Sequence, residues 1–426
     1  MPEGTTYGYW EAAYGLMNEA GLCMGESSCS GRLTTVPIDE NPHGALFWVG
    51  ELASVALEIC STARGAIETM GRLAEEHGFY GTPEVEEAGE ALTIADGDEA
   101  WVFHILADDT GNGAVWAAEK VPKGHATIVP NVFVIREIDP DDDQNFMFSK
   151  NLFDVAERLG WWDGNGRLDF TQTYSVGEYT HPYYAGRRLW RAFSLWAPSQ
   201  NFDPKLGVEV DRPTYPFSVK PDEPITLAKM KSLYRDHMEG TQYDLTKHVT
   251  AGGAFGTPNS YAEAEAEHSI EYGACERAIS LFRTQDAYIA VTHKGKPGVI
   301  HFAIGAPHAS VFAPIIVKPN PSVTSIPALE NTWQGEFNGN SLWWAVLSVS
   351  NMMDLKWCYM IKDVQKAQKE AEDEIDFMMK NKSFDDLEKQ TPALCDSLTR
   401  RWFELHYTLL GRYQNGYTNW GYSKPG

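Results

Sequence analysis

Two blocks of short, strand-like runs, each bordered by helical sequence, constrain the fold of this chain most. The first block, residues 91–137, contains LTIAD, AWVFHILA, AVWAAEKV and ATIVPNVFVI, with turn residues DGDE, DTGNG and PKGH between them. The second block, residues 279–306, contains ISLFRT, AYIAVTH and GVIHFAIGA. Because short turns join strands that run in opposite directions, the pattern predicts an α+β protein with two antiparallel sheets.

The sequence before the first block predicts two consecutive helices within residues 46–74. Ser61 or Thr62 is suited to cap the second helix, which begins near Ala63, and Gly78 is suited to end it. Further helical patterns lie at residues 151–159, 182–195 (opened by Thr180 as cap and Pro182), 351–379 and 392–410. Residues 197–226 are rich in Pro and Asp and indicate a long surface excursion. We expect one domain over residues 1–426, whose C-terminal part, residues 351–426, is helical.

Composition narrows the class of partner. The chain has 426 residues, of which 43% are hydrophobic and 22% charged, and a net charge of −24. A phosphate backbone would be repelled by this charge, so nucleic acid is not an expected partner. The chain contains no apolar run of about 18 residues, the length that a membrane span needs. The start MPEGTTYGYW does not have the layout of a signal peptide, and localisation stays open because an upstream segment would be able to carry one.

The six cysteines do not indicate a metal site. They form no CxxC pair and have no histidine at zinc-ligand spacing. Cys23 and Cys29 are close in sequence, but nothing in the spacing fixes a disulfide between them. Most of the cysteines are best interpreted as small buried residues.

Several ordered segments resemble the dipeptidase A and secernin family of cysteine peptidases over nearly the whole chain. They are TYGYWEAAYGLMNE, GNGAVWAAEKVPKGHATIVPN, HPYYAGRRLWRAFSLWAPS, YDLTKHVTAGGAFGTPN, ERAISLFRT and GAPHASVFAPI. The resemblance implies an N-terminal nucleophile hydrolase, a four-layer αββα sandwich in which two antiparallel sheets pack face to face between helices. It also implies dipeptide or short peptide substrates, no metal and no organic cofactor.

In this family the nucleophile is a cysteine at the first position of the mature chain, and its own α-amine is the base. An α-amine with a pKa of about 7.7 to 8.0 accepts the proton of a thiol with a pKa of about 8.5, whereas an internal amide nitrogen does not. Here Gly4 precedes Thr5-Thr6 where the family has cysteine. Residues 6–32, dense in aromatic, glycine and small polar residues, are typical of a site wall and begin almost at residue one. We therefore expect the first strand or strands, with the nucleophile, to be missing from this sequence.

Two internal cysteines are alternatives to an upstream nucleophile. Cys60 precedes Ser61-Thr62, but it ends a helical run, and freeing its amine would discard the first resembling segment. Cys29, in GESSCSG, lies near the active site by resemblance, and its alternative role is a small residue that lines the pocket. Removal of Met1 would expose the secondary amine of Pro2, a base that nothing else in the sequence supports.

The resemblance also places supporting residues in the site. Asn131 matches an asparagine that donates to the developing oxyanion, and its alternative is a turn residue at a strand end. Arg188 matches an arginine that faces the nucleophile; Arg187 and Arg191 compete for this role, and a surface ion pair is the alternative. Glu26, Ser27 and Ser28 match the substrate pocket, where a carboxylate would pair with the free amine of a dipeptide, although Ser28 is equally suited to a turn.

Other polar features have ordinary structural interpretations. His181 is expected to assist a helix start, and the same caution applies to His308. The run AGGAFG, residues 251–256, is not a phosphate loop because no Gly-Lys-Ser/Thr follows, and its glycines are expected to permit tight turns. Ser260 departs from the aromatic or arginine that often follows TPN in the family, which puts local substrate contacts in doubt.

Three functions stay open at this point. The first is a dipeptidase whose N-terminal part is absent from the sequence. The second is a non-catalytic protein on the same scaffold that binds peptides or a partner, although the loss of a core strand would leave unpaired backbone groups. The third is a glycoside hydrolase, suggested by 14 Trp and an acidic surface, for which no flanking carboxylate pair is evident. Association of several copies also stays open.

Overall fold

The computed structural model describes residues 4–81, 88–177, 182–206, 214–247, 252–259, 277–330 and 336–413. Thr180, His181, Ser260 and Cys275 lie outside the described residues. The chain divides into two compact units, residues 1–225 with 292–298 and 317–319, and residues 226–291 with 299–316 and 320–426. A single domain over residues 1–426 stays a prediction.

The first unit is built on a seven-stranded antiparallel sheet in which the strands follow their chain order. The strands are β1 (Tyr9–Glu11), β2 (Gly15–Asn18), β3 (Cys23–Cys29), β4 (Gly89–Ala95), β5 (Ala100–Ala107), β6 (Ala114–Lys120) and β7 (Phe146–Phe148). The predicted meander is confirmed for β4, β5 and β6. Residues 6–32, which carry a site-like composition, supply the three strands that extend it.

One predicted strand is wrong, because ATIVPNVFVI forms no regular strand. Ala126 makes only an isolated bridge with Val219. Pro130 has no N–H to donate, and Asn131 has a left-handed backbone with φ of 55°. These two residues interrupt the extended run, so the segment forms a loop. Asn131 in this loop contacts β3 through Ser27 and Ser28.

Two helices, α1 (Val49–Ile59) and α2 (Ala63–His77), cover one face of this sheet. The predicted cap and stop are confirmed: the Thr62 hydroxyl accepts from the Gly65 N–H, and Gly78 ends the helix with φ of 80°. Gly71 allows close packing, since a Cβ there would lie 2.4 Å from the Trp116 ring. The face is apolar because alternate strand residues, among them Met24, Leu92, Ile94 and Phe103, join the α1 and α2 side chains in one core.

The rest of the first unit is short helices and loops. They include α3 (Leu152–Arg158), α4 (Phe170–Tyr174), a π-helical turn (Pro182–Gly186) that continues into α5 (Arg187–Trp196), and a 3₁₀ turn (Pro198–Gln200). The helices predicted at residues 151–159 and 182–195 are thus confirmed. The described part of residues 197–226 is not only surface, because Tyr215 and Val219 are buried.

The second unit contains a three-stranded sheet of order β10-β9-β8 and the C-terminal helices. Its elements are α6 (Leu227–Tyr234), β8 (Asp286–Val291), β9 (Gly298–Ile304), β10 (Ala313–Val317), α7 (Pro327–Glu330), α8 (Leu342–Met353), α9 (Trp357–Asn381), α10 (Phe384–Tyr413) and a 3₁₀ turn (Gly253–Phe255). Strands β8 and β9 are antiparallel. Two sequence predictions need correction: ISLFRT forms turns instead of a strand, and Pro392 lies inside α10 instead of opening it.

The described residues therefore form an α+β protein with two sheets, as predicted. The face-to-face packing of a four-layer sandwich stays a prediction. Within the ranges given above, no helix has the length and apolar character needed to cross a bilayer.

Candidate active site

Asn131 is held by the strand that the sequence analysis assigned to the substrate pocket. Its backbone N–H donates to Ser27 Oγ at 3.0 Å, and its side-chain Nδ2 donates to the Ser28 carbonyl at 2.9 Å. The left-handed backbone of Asn131 brings both donors to β3 at once. Asparagine tolerates this conformation better than most residues, which explains why it is suited to the position.

Arg188 completes the anchor of Asn131. Its Nη1 donates to Asn131 Oδ1 at 3.1 Å and its Nη2 to the Pro130 carbonyl at 3.0 Å. Its Nε donates to the Tyr184 carbonyl at 2.8 Å, and the guanidinium lies 5.0 Å from the centre of the Tyr184 ring. The structure thus brings two predicted catalytic residues together although 57 positions separate them.

The two competing arginines lie on the same helix, α5. Arg187 is buried, and its Nη1 donates to the Pro204 carbonyl at 2.8 Å. Arg191 is half-buried. The Arg188 guanidinium donates to Asn131, whereas the described bond of Arg187 goes to the Pro204 carbonyl.

His104 fastens the loop that follows Asn131, and sequence reasoning missed it. Its Nε2 accepts from the N–H of Val134 at 2.9 Å and of Ile135 at 3.4 Å. The ring lies 4.8 Å from the Phe133 ring and 5.9 Å from the Phe170 ring. Burial lowers the pKa of His104 to about 3, so the ring is neutral and able to accept these bonds at pH 7.

The three predicted substrate-pocket residues divide between the two faces of β3. Ser27 contacts Asn131, whereas Glu26 and Ser28 have the parity of Met24, which packs under α1 and α2. Ser28 Oγ donates to Glu26 Oε1 at 2.9 Å. The part that Ser28 contributes to Asn131 is its backbone carbonyl, not its hydroxyl.

Glu26 also forms a hydrogen bond with Glu90, a fully buried residue that faces Ser28 across the β3–β4 ladder. A bond between two carboxyl groups requires that one of them holds a proton. Burial raises the pKa of Glu26, and the bonds to Glu90 and Ser28 offset part of that rise. Sequence reasoning missed Glu90 because a single acid at a strand end is ordinarily solvent-exposed.

Each described cysteine with a perturbed pKa has a raised one, so none of these thiols is activated. Burial raises the pKa of Cys23 and of Cys395 to about 12, and it also raises the pKa of Cys60. Cys29 is 1% exposed, and its Sγ donates to the Ser27 carbonyl at 3.4 Å. Cys23, Cys29, Cys60, Cys358 and Cys395 are all outside disulfides. The interpretation of Cys23, Cys29 and Cys395 as small buried residues is therefore confirmed.

Two remaining sequence features lie outside this site. His308 is buried in the second unit, where its ring contacts Ser280 and Ser350. Gly252, Gly253 and Gly256 all have positive φ, between 50° and 84°, which confirms that these glycines permit a tight turn. Within the described ranges, no three side chains of metal-ligating type come together.

The chain matches the model of peptidase family C69 over residues 8–370, and it belongs to this family. The predicted resemblance is thereby confirmed. A probable dipeptidase of Salmonella dublin is 28% identical over 62% of this chain and 53% of its own length. A probable dipeptidase of Latilactobacillus sakei is 22% identical over 63% of this chain and 50% of its own length. A probable dipeptidase B of Lactococcus lactis is 24% identical over 95% of this chain and 79% of its own length.

The chain thus spans about half the length of the first two of these curated relatives. The family is named for peptidases, and the relatives above carry the name dipeptidase. The finer chemistry depends on the arrangement around Asn131.

Proposed function

We propose that this protein hydrolyses dipeptides, with the cysteine at the first position of a mature chain as nucleophile and Asn131 as oxyanion donor. The observation that carries this proposal is the fixation of Asn131 by Ser27, Ser28 and Arg188. A donor that is already oriented before the reaction stabilises developing charge without reorganisation, and one such donor contributes about 3 to 4 kcal/mol.

The orientation of the Asn131 amide suits this role. Arg188 donates to Oδ1, so Nδ2 is the end that faces β3, where one of its two hydrogens reaches the Ser28 carbonyl. The second hydrogen is the donor for the oxyanion. The positively charged Arg188 guanidinium next to Oδ1 polarises the Asn131 amide and strengthens Nδ2 as a donor.

In the proposed reaction the α-amine of the mature chain removes the thiol proton, and the thiolate attacks the peptide carbonyl carbon. The carbonyl oxygen becomes the oxyanion that accepts from Asn131. The C–N bond then breaks, the leaving amine takes the proton from the α-ammonium, and water hydrolyses the thioester. Among the described cysteines, those with a raised pKa are unsuited to this step.

We propose that Ser27 contributes directly to substrate binding and that Glu26 and Ser28 contribute through the position of β3. Ser27 lies on the face of β3 that contacts Asn131, so its hydroxyl is the group suited to reach a substrate there. Glu26 and Ser28 support β3 from the helix-covered face through their mutual bond and the bond to Glu90. The pairing of a dipeptide amine with Glu26 itself would require a one-residue shift of β3, because Glu26 lies on the helix-covered face.

The second candidate function is peptide or partner binding without hydrolysis. The raised pKa values of Cys23, Cys60 and Cys395 favour it for residues 1–426 taken alone. A preformed donor such as Asn131 would still bind a peptide carbonyl in such a protein.

Two measurements on protein isolated from its own source test the proposal together. Mass spectrometry defines the mature N-terminus, and a panel of unblocked dipeptides with N-acetylated counterparts measures hydrolysis. We expect an N-terminal cysteine and cleavage of the unblocked dipeptides. A mature chain that starts at Met1 or Pro2 and cleaves none of them would leave the binding function.

A further inference from the structure

A polar cavity lies within the second unit, between α6 and α9, and none of its lining residues belongs to the candidate active site. Its volume is about 600 Å³, which lies in the range of small-molecule sites. Its lining is almost entirely polar or charged. Along α6 and the residues after it, the lining includes Lys231, Arg235, Asp236 and Glu239; along α9, it includes Gln368, Lys369, Glu372, Asp373 and Asp376.

Arg235 and Glu372 satisfy each other in this cavity. Arg235 Nη2 donates to Glu372 Oε1 at 2.6 Å and Nη1 donates to Oε2 at 3.3 Å. The Phe312 N–H also donates to Glu372 Oε1 at 3.3 Å. The other donors of Arg235 reach the carbonyls of Pro307 and Ser310. One carboxylate and one guanidinium thus form a closed, neutral pair.

Lys231 adds a positive charge that this pair does not neutralise. Its side chain is only 6% exposed, and its Nζ lies 3.7 Å from Glu372 Oε2, beyond hydrogen-bonding distance. Its other described contact is the face of Phe312 at 5.9 Å. The described residues therefore offer the Lys231 ammonium no hydrogen-bond acceptor. Lys231 lines the cavity, and its Nζ is not among the fully enclosed unpaired polar atoms of the described residues, so an anion in the cavity would supply the ammonium with a close acceptor.

The charges around the cavity favour an anionic group on a ligand that also carries a positive charge. His301 adds no charge, because burial and the nearby Lys231 lower its pKa to about 4. The rim carries the carboxyl groups of Asp236, Glu239, Asp373 and Asp376, and its one lysine, Lys369, already pairs with Asp373. A polyanion such as phosphate would be repelled by this rim, whereas a ligand that also has an ammonium group would be attracted.

We infer that this cavity binds a small zwitterion, a free amino acid or a dipeptide, with its carboxylate on Lys231 and its ammonium toward the rim carboxyl groups. This second site does not depend on hydrolysis at Asn131. It would let the protein respond to the concentration of amino acids or dipeptides without occupying the candidate active site.

Isothermal titration calorimetry of the full mature chain with L-alanine tests the inference, with acetate, ethylamine and inorganic phosphate as further probes. The Lys231→Met variant removes the ammonium. The Ala228→Trp variant fills the cavity from an exposed position on α6 and leaves every charge in place, so it serves if Lys231→Met does not fold. Lys229→Gln, an exposed lysine on the same helix, is the matched control.

We expect L-alanine to bind, acetate to bind more weakly, and ethylamine not to bind. Lys231→Met and Ala228→Trp should each raise the Kd for L-alanine at least about tenfold, with Lys229→Gln unchanged. L-alanine binding that survives both variants but is lost in Asn131→Ala would overturn the inference, because it would assign the ligand to the candidate active site. Phosphate binding tighter than that of L-alanine, or no binding of any probe, would overturn it as well.

Discussion

Arg188 donates from Nη1 to Asn131 Oδ1 at 3.1 Å, and this contact fixes which end of the Asn131 amide faces β3. Without it, the amide could turn over and present an oxygen where a donor is needed. The pair therefore works as one unit, in which the arginine acts through the asparagine.

Asn131→Ala is expected to lower kcat for dipeptide hydrolysis by about 10²- to 10³-fold, because it removes the proposed oxyanion donor. KM should change little, since the donor acts on charge that develops in the transition state. Asn201→Ala is the matched control, because Asn201 is exposed and also has a left-handed backbone, with φ of 46°. Equal losses of kcat in the two variants would mean that backbone strain, not the amide, is responsible.

Arg188→Lys is expected to lower kcat by about tenfold or more, because an ammonium cannot reproduce donation to Asn131, Pro130 and Tyr184 at once. Arg187→Lys is a stringent control, since Arg187 directly precedes Arg188 on α5 and donates to the Pro204 carbonyl instead. Both variants should lose some thermal stability. If Arg187→Lys lowers kcat as much as Arg188→Lys, the loss comes from α5 as a whole.

His104→Leu is expected to destabilise the first unit by about 1 to 3 kcal/mol, because it leaves the buried N–H of Val134 without its acceptor. Activity should fall in parallel, since the loop from Pro130 to Ile135 carries Asn131. Denaturant unfolding and dipeptide turnover measure the two effects. His43→Leu, at an exposed histidine, should change neither. If the His104→Leu protein keeps both its stability and its full activity, the loop is held by other contacts.

Glu119 gives a pH dependence whose sign can be worked out. Burial raises its pKa from the ordinary 4.5 to about 8, so between these pH values the folded state holds the proton more tightly than the unfolded state. The free energy of unfolding should therefore fall as the pH rises from about 4.5 to about 8. Each pKa unit of difference corresponds to about 1.4 kcal/mol.

Glu119→Gln should remove this slope. We expect the variant to unfold at a higher temperature than the unchanged protein at pH 9, and at nearly the same temperature at pH 4.5. Glu137→Gln, at an exposed carboxylate in the same unit, should shift neither midpoint. A Glu119→Gln difference that is equal at both pH values would contradict the assignment of the raised pKa to this residue.

Local signals made the helices predictable. The hydroxyl of Thr62 and the glycine at position 78 act on their own backbone neighbourhoods, so the sequence alone indicates where α2 begins and ends. The segment ATIVPNVFVI failed for the opposite reason. Its apolar pattern is that of a strand, but the backbone N–H groups of Val134 and Ile135 donate to His104, a residue about thirty positions away, and no local pattern reports such a partner.

The residues of the candidate site also differ in how far the sequence predicts them. The resemblance to a family indicated Asn131 and Arg188, and the structure adds the contact between them. His104 and Glu90 were missed because each is one polar residue in an apolar strand, which the sequence pattern assigns to a solvated face. Both are buried, and what they do depends on Val134 and Glu26, which only the folded chain brings near.

Because side chains alternate between the two faces of β3, the site depends on the number of residues in this strand as well as on their identity. Ser27 meets Asn131 on one face, and Glu26 and Ser28 lie on the other. Inserting one residue between Cys23 and Glu26 would shift the following residues by one place, so that the Glu26 carboxyl group would meet the Asn131 backbone while the Ser27 hydroxyl moved to the helix-covered face. Saturation mutagenesis, which changes residues and keeps their number, would never sample this lesion. Insertions and deletions in this strand should therefore be tolerated, if at all, only two residues at a time.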